Sequence, residues 1–301
     1  MVQMRRLISS VMMRLYFAVN LTRCYIYIPW AFFTTTIAYG MGDIGWNWRM
    51  LPTLIAQFLA LVSGFIFNDA EDYKDDARDL AKGKRNVVSS HQLDLSAAYI
   101  IAVISAAGSL AVSSLVDVRL FIPIVIILLI LFVYSYRRVR LKAIPIIDVT
   151  SHGIVGGLLF LAAAWPSLGN SVWSRAGVLT IIAFTIRSAV SQLAHQVKDI
   201  DIDRESGFKT TAVLLGKNLG YVVIGCLLVL LVGLMALVVV ILDVIPVVLL
   251  MYGFVTIGTY LIVSQSIQGR LDIGPDWILW CSLQVGGLAA IVLWFESLNK
   301  P

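Results

Sequence analysis

The sequence predicts an all-α polytopic membrane protein: nine transmembrane helices around a central apolar pocket, with a cytosolic-side cap. Three observations carry this. Apolar residues make up 59% of the 301 positions and charged residues only 14%, a balance outside the range of soluble domains. Nine apolar runs approach the length of a bilayer span. The remaining positive charges fall into alternate loops.

In order, the runs are Cys24–Met41, Met50–Phe67, Leu95–Val116, Leu120–Tyr136, Ile144–Trp165, Gly177–Gln196, Leu219–Leu242, Pro246–Ser266 and Trp277–Phe295. Several contain Gly or Pro, which membrane helices tolerate. Residues 1–23 carry Arg5, Arg6, Arg14 and Arg23. They lack a short apolar core followed by a small-residue cleavage site, so they read as a basic amphipathic segment on the membrane surface. Residues 24–301 read as a single nine-helix domain, without a Pro-, Gly- or Ser-rich linker. Cys24, Cys226 and Cys281 all lie in apolar runs, which argues against a disulfide framework or a zinc site.

Charge sets the orientation. The loop after span 2 carries Lys74, Arg78, Lys82, Lys84 and Arg85. The loop after span 4 carries Arg137, Arg138, Arg140 and Lys142, and that after span 6 Lys198, Arg204, Lys209 and Lys217. The intervening loops hold Arg49, Arg119 or Arg175 singly, or no base at all. The positive-inside rule then places the N-terminus and these three loops in the cytosol. The net charge of +5 follows from this placement, and no nucleic-acid partner is expected.

The rule explains bases, not acids, yet two of the basic loops begin with carboxylate clusters. Span 2 runs directly into Asn68-Asp69-Ala70-Glu71-Asp72-Tyr73-Lys74-Asp75-Asp76. Read as helix, Asn68, Asp72 and Asp76 fall at i, i+4 and i+8 and share a face, with Asp69 one step round. Glu71, Asp75, Asp79, Asp201 and Glu205 read as solvated neighbours. Span 6 leads into Asp199-Ile200-Asp201-Ile202-Asp203, where Asp199 and Asp203 are four apart. Extending that stripe backwards adds His195 and Ser191. Oxygen ligands in two such groups suit Mg²⁺, which takes one or two carboxylates and completes its shell with water and phosphate. Mg²⁺ with Arg and Lys would hold a diphosphate, and an apolar pocket would hold a hydrocarbon tail. The substrate this describes is an isoprenyl diphosphate, ionised in a dry site. Tyr134 and Tyr136, beside the basic loop, are candidates to face a carbocation, although tyrosines at a membrane interface are common.

These residues resemble the UbiA superfamily of intramembrane prenyltransferases. Asn68-Asp69-x-x-Asp72-x-x-x-Asp76 is similar to its first aspartate-rich motif. Asp199-x-x-x-Asp203, followed by Gly207 and the stretch from Thr210 to Gly216, is similar to the second, and the segment from Tyr134 to Lys142 to its basic loop. The resemblance implies two Mg²⁺ ions, one on Asn68, Asp72 and Asp76 and one on Asp199 and Asp203, with Asp69 assisting. It implies diphosphate contacts from Arg140, Lys142, Lys209 and Arg85, and a cap formed by the loops after spans 2 and 6. The sequence departs from the family where Lys84-Arg85-Asn86 stands in place of an Arg-Pro pair. It departs again where Arg140, not a lysine, follows Tyr136 by four.

Charges inside a span are usually functional or paired. Asp148 and His152 share a face of span 5; they line the pocket, or Asp148 pairs with Arg187 of span 6. His195 reads as a pocket residue and His91 as a solvated one. The implied activity is transfer of a prenyl group to a lipophilic acceptor. A terpene cyclase would use the same metals without an acceptor. A transporter would place its carboxylates nearer the midplane.

Overall fold

The computed structural model describes residues 24–41, 48–78, 80–205 and 207–242. The N-terminal segment 1–23 and spans 8 and 9, Pro246–Ser266 and Trp277–Phe295, lie outside the described residues. Seven long helices are described: α1 (Cys24–Gly40), α2 (Met50–Asp76), α4 (Leu95–Val116), α5 (Val118–Ser135), α6 (Ile147–Leu168), α7 (Arg175–Lys198) and α10 (Lys217–Leu242). Three short helices lie between them: α3 (Leu80–Arg85), α8 (Ile200–Glu205) and α9 (Thr211–Leu215). Six of the long helices have the length and hydropathy to cross a membrane. At 17 residues, α1 is shorter than the roughly 20 that span hydrocarbon. The protein is an integral membrane protein.

The helices correspond to spans 1 to 7, with one large difference. The sequence ends span 2 at Phe67, but α2 continues nine residues further, to Asp76. No Gly or Pro interrupts that stretch, and its last turns are carboxylate-rich where a helix C-terminus disfavours negative charge. The basic loop docked against that end compensates. Span 6 ends the other way. α7 stops at Lys198, Asp199 is its C-cap, and Ile200–Glu205 forms a separate turn of helix.

α1 packs against α2 and α6, α2 against α4 and α5, α5 against α4 and α6, and α7 against α6 and α10. Apolar side chains such as Val103, Leu129 and Val229 face outward, as they must where the solvent is lipid. Since lipid gives no hydrophobic drive to helix association, specific packing holds the core together. Gln57 links three helices: it accepts from Thr34 Oγ1 at 3.0 Å and donates to the Leu159 carbonyl at 3.1 Å. Ser63 and Ser109 donate from their hydroxyls to the Ala102 and Ala56 carbonyls, joining α2 to α4.

α6 and α7 approach most closely through small residues. A Cβ added at Gly157 would lie 2.2 Å from Thr185 Oγ1, and one at Gly156 would lie 2.3 Å from Ser188 Cβ. Gly157→Val is therefore expected to cost about 1–3 kcal/mol of overpacking. It should lower the melting temperature in detergent, while a valine at Gly233, where an added Cβ meets nothing within 4 Å, should not.

Candidate active site

At the end of the bundle where α2 and α7 finish, the two acidic motifs face one cavity of about 290 Å³, the size of a ligand cleft rather than a packing defect. One wall is the last turns of α2, presenting Asn68, Asp72, Asp75 and Asp76. The other is the end of α7 and α8, presenting His195, Asp199 and Asp203. Arg140 and Lys142 reach in from the basic loop, and Lys82 from α3. Deeper lining comes from Phe65, Ile130, Leu131 and Val155.

The bases sit among the acids. Lys142 Nζ bonds Asn68 Oδ1 at 2.7 Å and also contacts Asp72 Oδ2. Arg140 Nη2 lies 3.1 Å from Asp72 Oδ1 and 2.8 Å from Asp75 Oδ2. Lys82 Nζ lies 3.2 Å from Asp199 and 3.7 Å from Asp203. Arg140 is held by a backbone in the left-handed region, φ 50°, its N–H donating to the Tyr136 carbonyl at 2.7 Å. A non-glycine residue there is strained by roughly 1–3 kcal/mol, which its ion pairs offset. Its guanidinium lies 4.9 Å from the Phe208 ring, and its Nε is buried without a partner among the described residues. Burial pushes the Lys142 ammonium below its ordinary pKa, against the pull of Asp72. Burial also raises Asp203, with Asp199 adding to the rise and Lys82 opposing it. Both charged forms therefore lack solvation that a bound ionic ligand would restore.

The donors fit hard divalent cations. His195 apart, all are oxygens, from Asn68, Asp72, Asp75 and Asp76 on one wall and Asp199 and Asp203 on the other. Among the described residues no three Asp, Glu, His or Cys side chains converge as a ready-made cage. Mg²⁺ takes few protein ligands and completes its shell with the oxygens of water and phosphate. The unpaired Arg140 Nε is a further donor for an anion.

Several expected residues fall elsewhere. Asp69 is 3% exposed and outside the cavity, because one step along α2 turns it away from the Asn68–Asp72 face. Lys209 is exposed and outside the cavity; in the extended stretch its neighbours Phe208 and Thr210 line it instead. Tyr136 caps α5 and stacks on Phe132, centroids 5.0 Å apart, while Tyr134 lines the cavity. Ser191 is not a lining residue; Gln192 is, because the inward stripe of α7 runs through Gln192, His195 and Asp199. The Arg85 side chain lies outside the described residues. His91 is exposed, as expected.

Asp148 neither pairs with Arg187 nor lines the cavity. It is fully buried and accepts from the Thr211 N–H at 2.7 Å, Gln196 Nε2 at 2.8 Å and, in addition, the Thr211 hydroxyl. Arg187 lies over the Trp30 ring, 4.1 Å from its centroid. Glu71 and Asp75 are not solvated either. Glu71 accepts from Tyr99 Oη at 2.8 Å and the Arg137 N–H at 2.9 Å, and Asp75 bridges Arg137 and Arg140. Sequence reasoning had no role for Lys82 or Asn86. Asn86 stands where the family has proline; it donates to Asp76 Oδ2 at 2.8 Å and to the Asp69 carbonyl at 2.9 Å, tying α3 to the first wall.

Fold and site together define an apolar membrane helix bundle with a polar, carboxylate-walled cleft at one end. The family model for the UbiA prenyltransferase family matches residues 28–295, and the chain belongs to that family. A curated relative, digeranylgeranylglyceryl phosphate synthase of Methanobrevibacter smithii, is 26% identical over 181 residues. The match covers 58% of this chain and 61% of that protein, so the chain spans less than two thirds of the relative's length. A UbiA homologue from Archaeoglobus fulgidus, solved bound to DMAPP and Mg²⁺, superposes with a TM-score of 0.73 at 20% identity. It covers 94% of this chain and 99% of that one. A UbiA homologue from Aeropyrum pernix K1 in its apo form gives 0.71 at 17% identity, over 92% and 96% of the chains. At these identities the superpositions establish the fold.

Proposed function

We propose that the protein is a Mg²⁺-dependent intramembrane prenyltransferase, taking an isoprenyl diphosphate and transferring its prenyl group to a lipophilic acceptor. The observation that carries this reading is the facing of two carboxylate walls across one cleft, with Arg140, Lys142 and Lys82 between them and apolar side chains below. The Mg²⁺ and isoprenyl diphosphate bound by the Archaeoglobus homologue, and the activity named for the Methanobrevibacter relative, support it.

In this reading Asn68, Asp72 and Asp76 hold one Mg²⁺ and Asp199 and Asp203 a second. Bound there, the ions stabilise the charge that builds on departing diphosphate. Arg140, Lys142 and Lys82 exchange carboxylate partners for diphosphate oxygens, and Arg140 Nε gains an acceptor. Phe65, Ile130, Leu131 and Val155 take the first part of the prenyl chain and keep water from the allylic cation. Tyr134 faces the same space. The cleft and the N-terminus lie on the cytosolic side, where the basic loops are.

The test is diphosphate release by purified protein offered geranyl, farnesyl or geranylgeranyl diphosphate singly, with Mg²⁺ or EDTA, and with or without a membrane-lipid extract. The expected result is Mg²⁺-dependent release that the extract stimulates, with a prenylated lipid in the mass spectrum. A cyclised product made without extract would make the protein a terpene cyclase. No release by folded protein in any condition would overturn the reading.

A further inference from the structure

Polar side chains that line the cleft are steadied in different ways. Deep in it, Gln192 Nε2 donates to Tyr134 Oη at 2.9 Å, and His152 Nδ1 lies 3.0 Å from Ser188 Oγ. On the first wall, Asn68 Oδ1 accepts from Ser135 Oγ at 2.9 Å and from Lys142, and Asp72 meets Lys142 and Arg140. Asp76 is held from another direction. It is the last residue of α2, where a helix frays, and its Oδ2 accepts from Asn86, just beyond α3.

Asn86 is 1% exposed, and both ends of its carboxamide are fully engaged. Oδ1 accepts from the Val88 N–H at 2.9 Å and the Ser89 N–H at 3.1 Å. Those groups can only donate, so they fix which end of the amide is oxygen. Nδ2 points the other way. Its two protons go to the Asp69 carbonyl at 2.9 Å and to Asp76 Oδ2 at 2.8 Å. The backbone around Asn86 is held as well. Its N–H donates to the Lys82 carbonyl at 2.9 Å, and Ser89 Oγ donates to the Tyr73 carbonyl of α2 at 2.7 Å. Gly83 lets α3 come this near: a Cβ there would lie 3.1 Å from the Asp76 carbonyl oxygen. The aim of Nδ2 is thus set by contacts other than Asp76 itself.

Resting on the two-metal reading above, we propose that Asn86 is a positioning residue for the first-wall cation, fixing the Asp76 carboxylate by holding Oδ2 and leaving Oδ1 to the metal. Two features suit it to this. The amide is neutral, so it orients the carboxylate without cancelling the charge that attracts a cation. Lys142 and Arg140 do cancel charge on Asp72, and in the proposed reaction they exchange it for diphosphate. The Asn86 bond has no such exchange to make, so it persists when metal and diphosphate arrive. A hydrogen-bond partner of this kind on a ligating carboxylate typically sets roughly 10–100-fold of metal affinity. The sequence departs from its family at this position, where a proline would have no side-chain donor to offer.

The experiment titrates Mn²⁺, which suits the same oxygen ligands as Mg²⁺ and is followed by EPR, into full-length protein in detergent. Asp199→Ala is the background, because it weakens the second wall and leaves the first. Asn86→Ser is the main variant. Its hydroxyl can still accept from the Val88 or Ser89 N–H but is too short to reach Asp76. Mn²⁺ affinity is expected to fall roughly 10–100-fold. Affinity for a non-hydrolysable isoprenyl diphosphate analogue in EDTA, which reads the bases alone, should stay within about threefold. With Asp76→Ala also present, Asn86→Ser should cost less than about threefold in Mn²⁺ affinity, because it acts through Asp76. Asn86→Gln is the second variant. One methylene longer, it cannot hold the turn and Asp76 together, and the same loss is expected. Mn²⁺ affinity within about threefold of the background in either folded variant would overturn the role, as would an equal loss with and without Asp76. An equal loss of metal-free analogue binding would make Asn86 only a structural tie for α3. No Mn²⁺ binding by wild type, with or without the analogue, would instead refute the two-metal reading itself.

Discussion

Asp199→Ala is expected to lower diphosphate release at least 10³-fold while the melting temperature stays within about 2 °C of wild type. The catalytic loss follows from the donor set. The second wall offers only Asp199 and Asp203, so removing one halves its charge where charge on the departing diphosphate must be balanced. Losing a single electrostatic stabiliser of this kind typically costs 10²–10³ in rate, and a lost metal ion costs more. The stability estimate follows from exposure. The Asp199 side chain is 32% exposed and pairs with Lys82 at 3.2 Å. A partly solvated pair of this kind is worth at most about 1 kcal/mol. Asp72 is a poorer choice for the same test. It is 13% exposed and contacts both Lys142 and Arg140, so alanine there strands two cations as well as removing a ligand. A wild-type rate for Asp199→Ala across a Mg²⁺ titration would sink the two-metal assignment, and rescue at high Mg²⁺ would support it.

Periodicity and charge made most of this fold legible. Apolar runs marked helices α1, α2, α4, α5, α6, α7 and α10, because lipid demands unbroken apolar helix and little else competes. The i, i+4, i+8 spacing of Asn68, Asp72 and Asp76 marked the first wall, since α2 keeps its helical register through the motif. Register was also the source of error. Asp75 is seven residues from Asn68 and returns to the same face, which the i+7 rule could have shown. On α7, i−4 steps back from Asp199 lead to His195 and Ser191, but a helix drifts, and the inward positions are Gln192 and His195. Tyr136 reads from the sequence as the catalytic tyrosine and Tyr134 as a pocket residue, yet α5 ends between them and it is Tyr134 that turns inward. Lys82 looked like one base among five. Only the folding of α3 over the cleft brings it to Asp199, and no local pattern encodes that contact.

The change Asp148→Ala has the largest structural effect expected here. A carboxylate near the start of a membrane helix invites a mate such as Arg187, yet Asp148 is met by three donors from two other elements. Gln196 belongs to α7, three residues before Asp199; Thr211 supplies both its N–H and its hydroxyl from the start of α9, eight residues after Asp203. Thr211 also accepts from the Ile146 N–H at 2.6 Å, closing the loop back onto α6. Asp148 thus pins both ends of the segment that carries the second wall. Alanine would leave these donors buried without their acceptor, at about 1–3 kcal/mol each, with some relief as the loop relaxes. The variant should melt several degrees lower, and protease should cut more readily between residues 199 and 216. Its rate should fall with the loss of order in that segment, and excess Mg²⁺ should restore part of it. A variant with wild-type melting behaviour and no activity would mean that Asp148 acts in the chemistry. Asp148→Asn discriminates further. It keeps the shape and one acceptor oxygen but turns an NH₂ toward donors, so a structural role predicts a loss of stability intermediate between wild type and alanine.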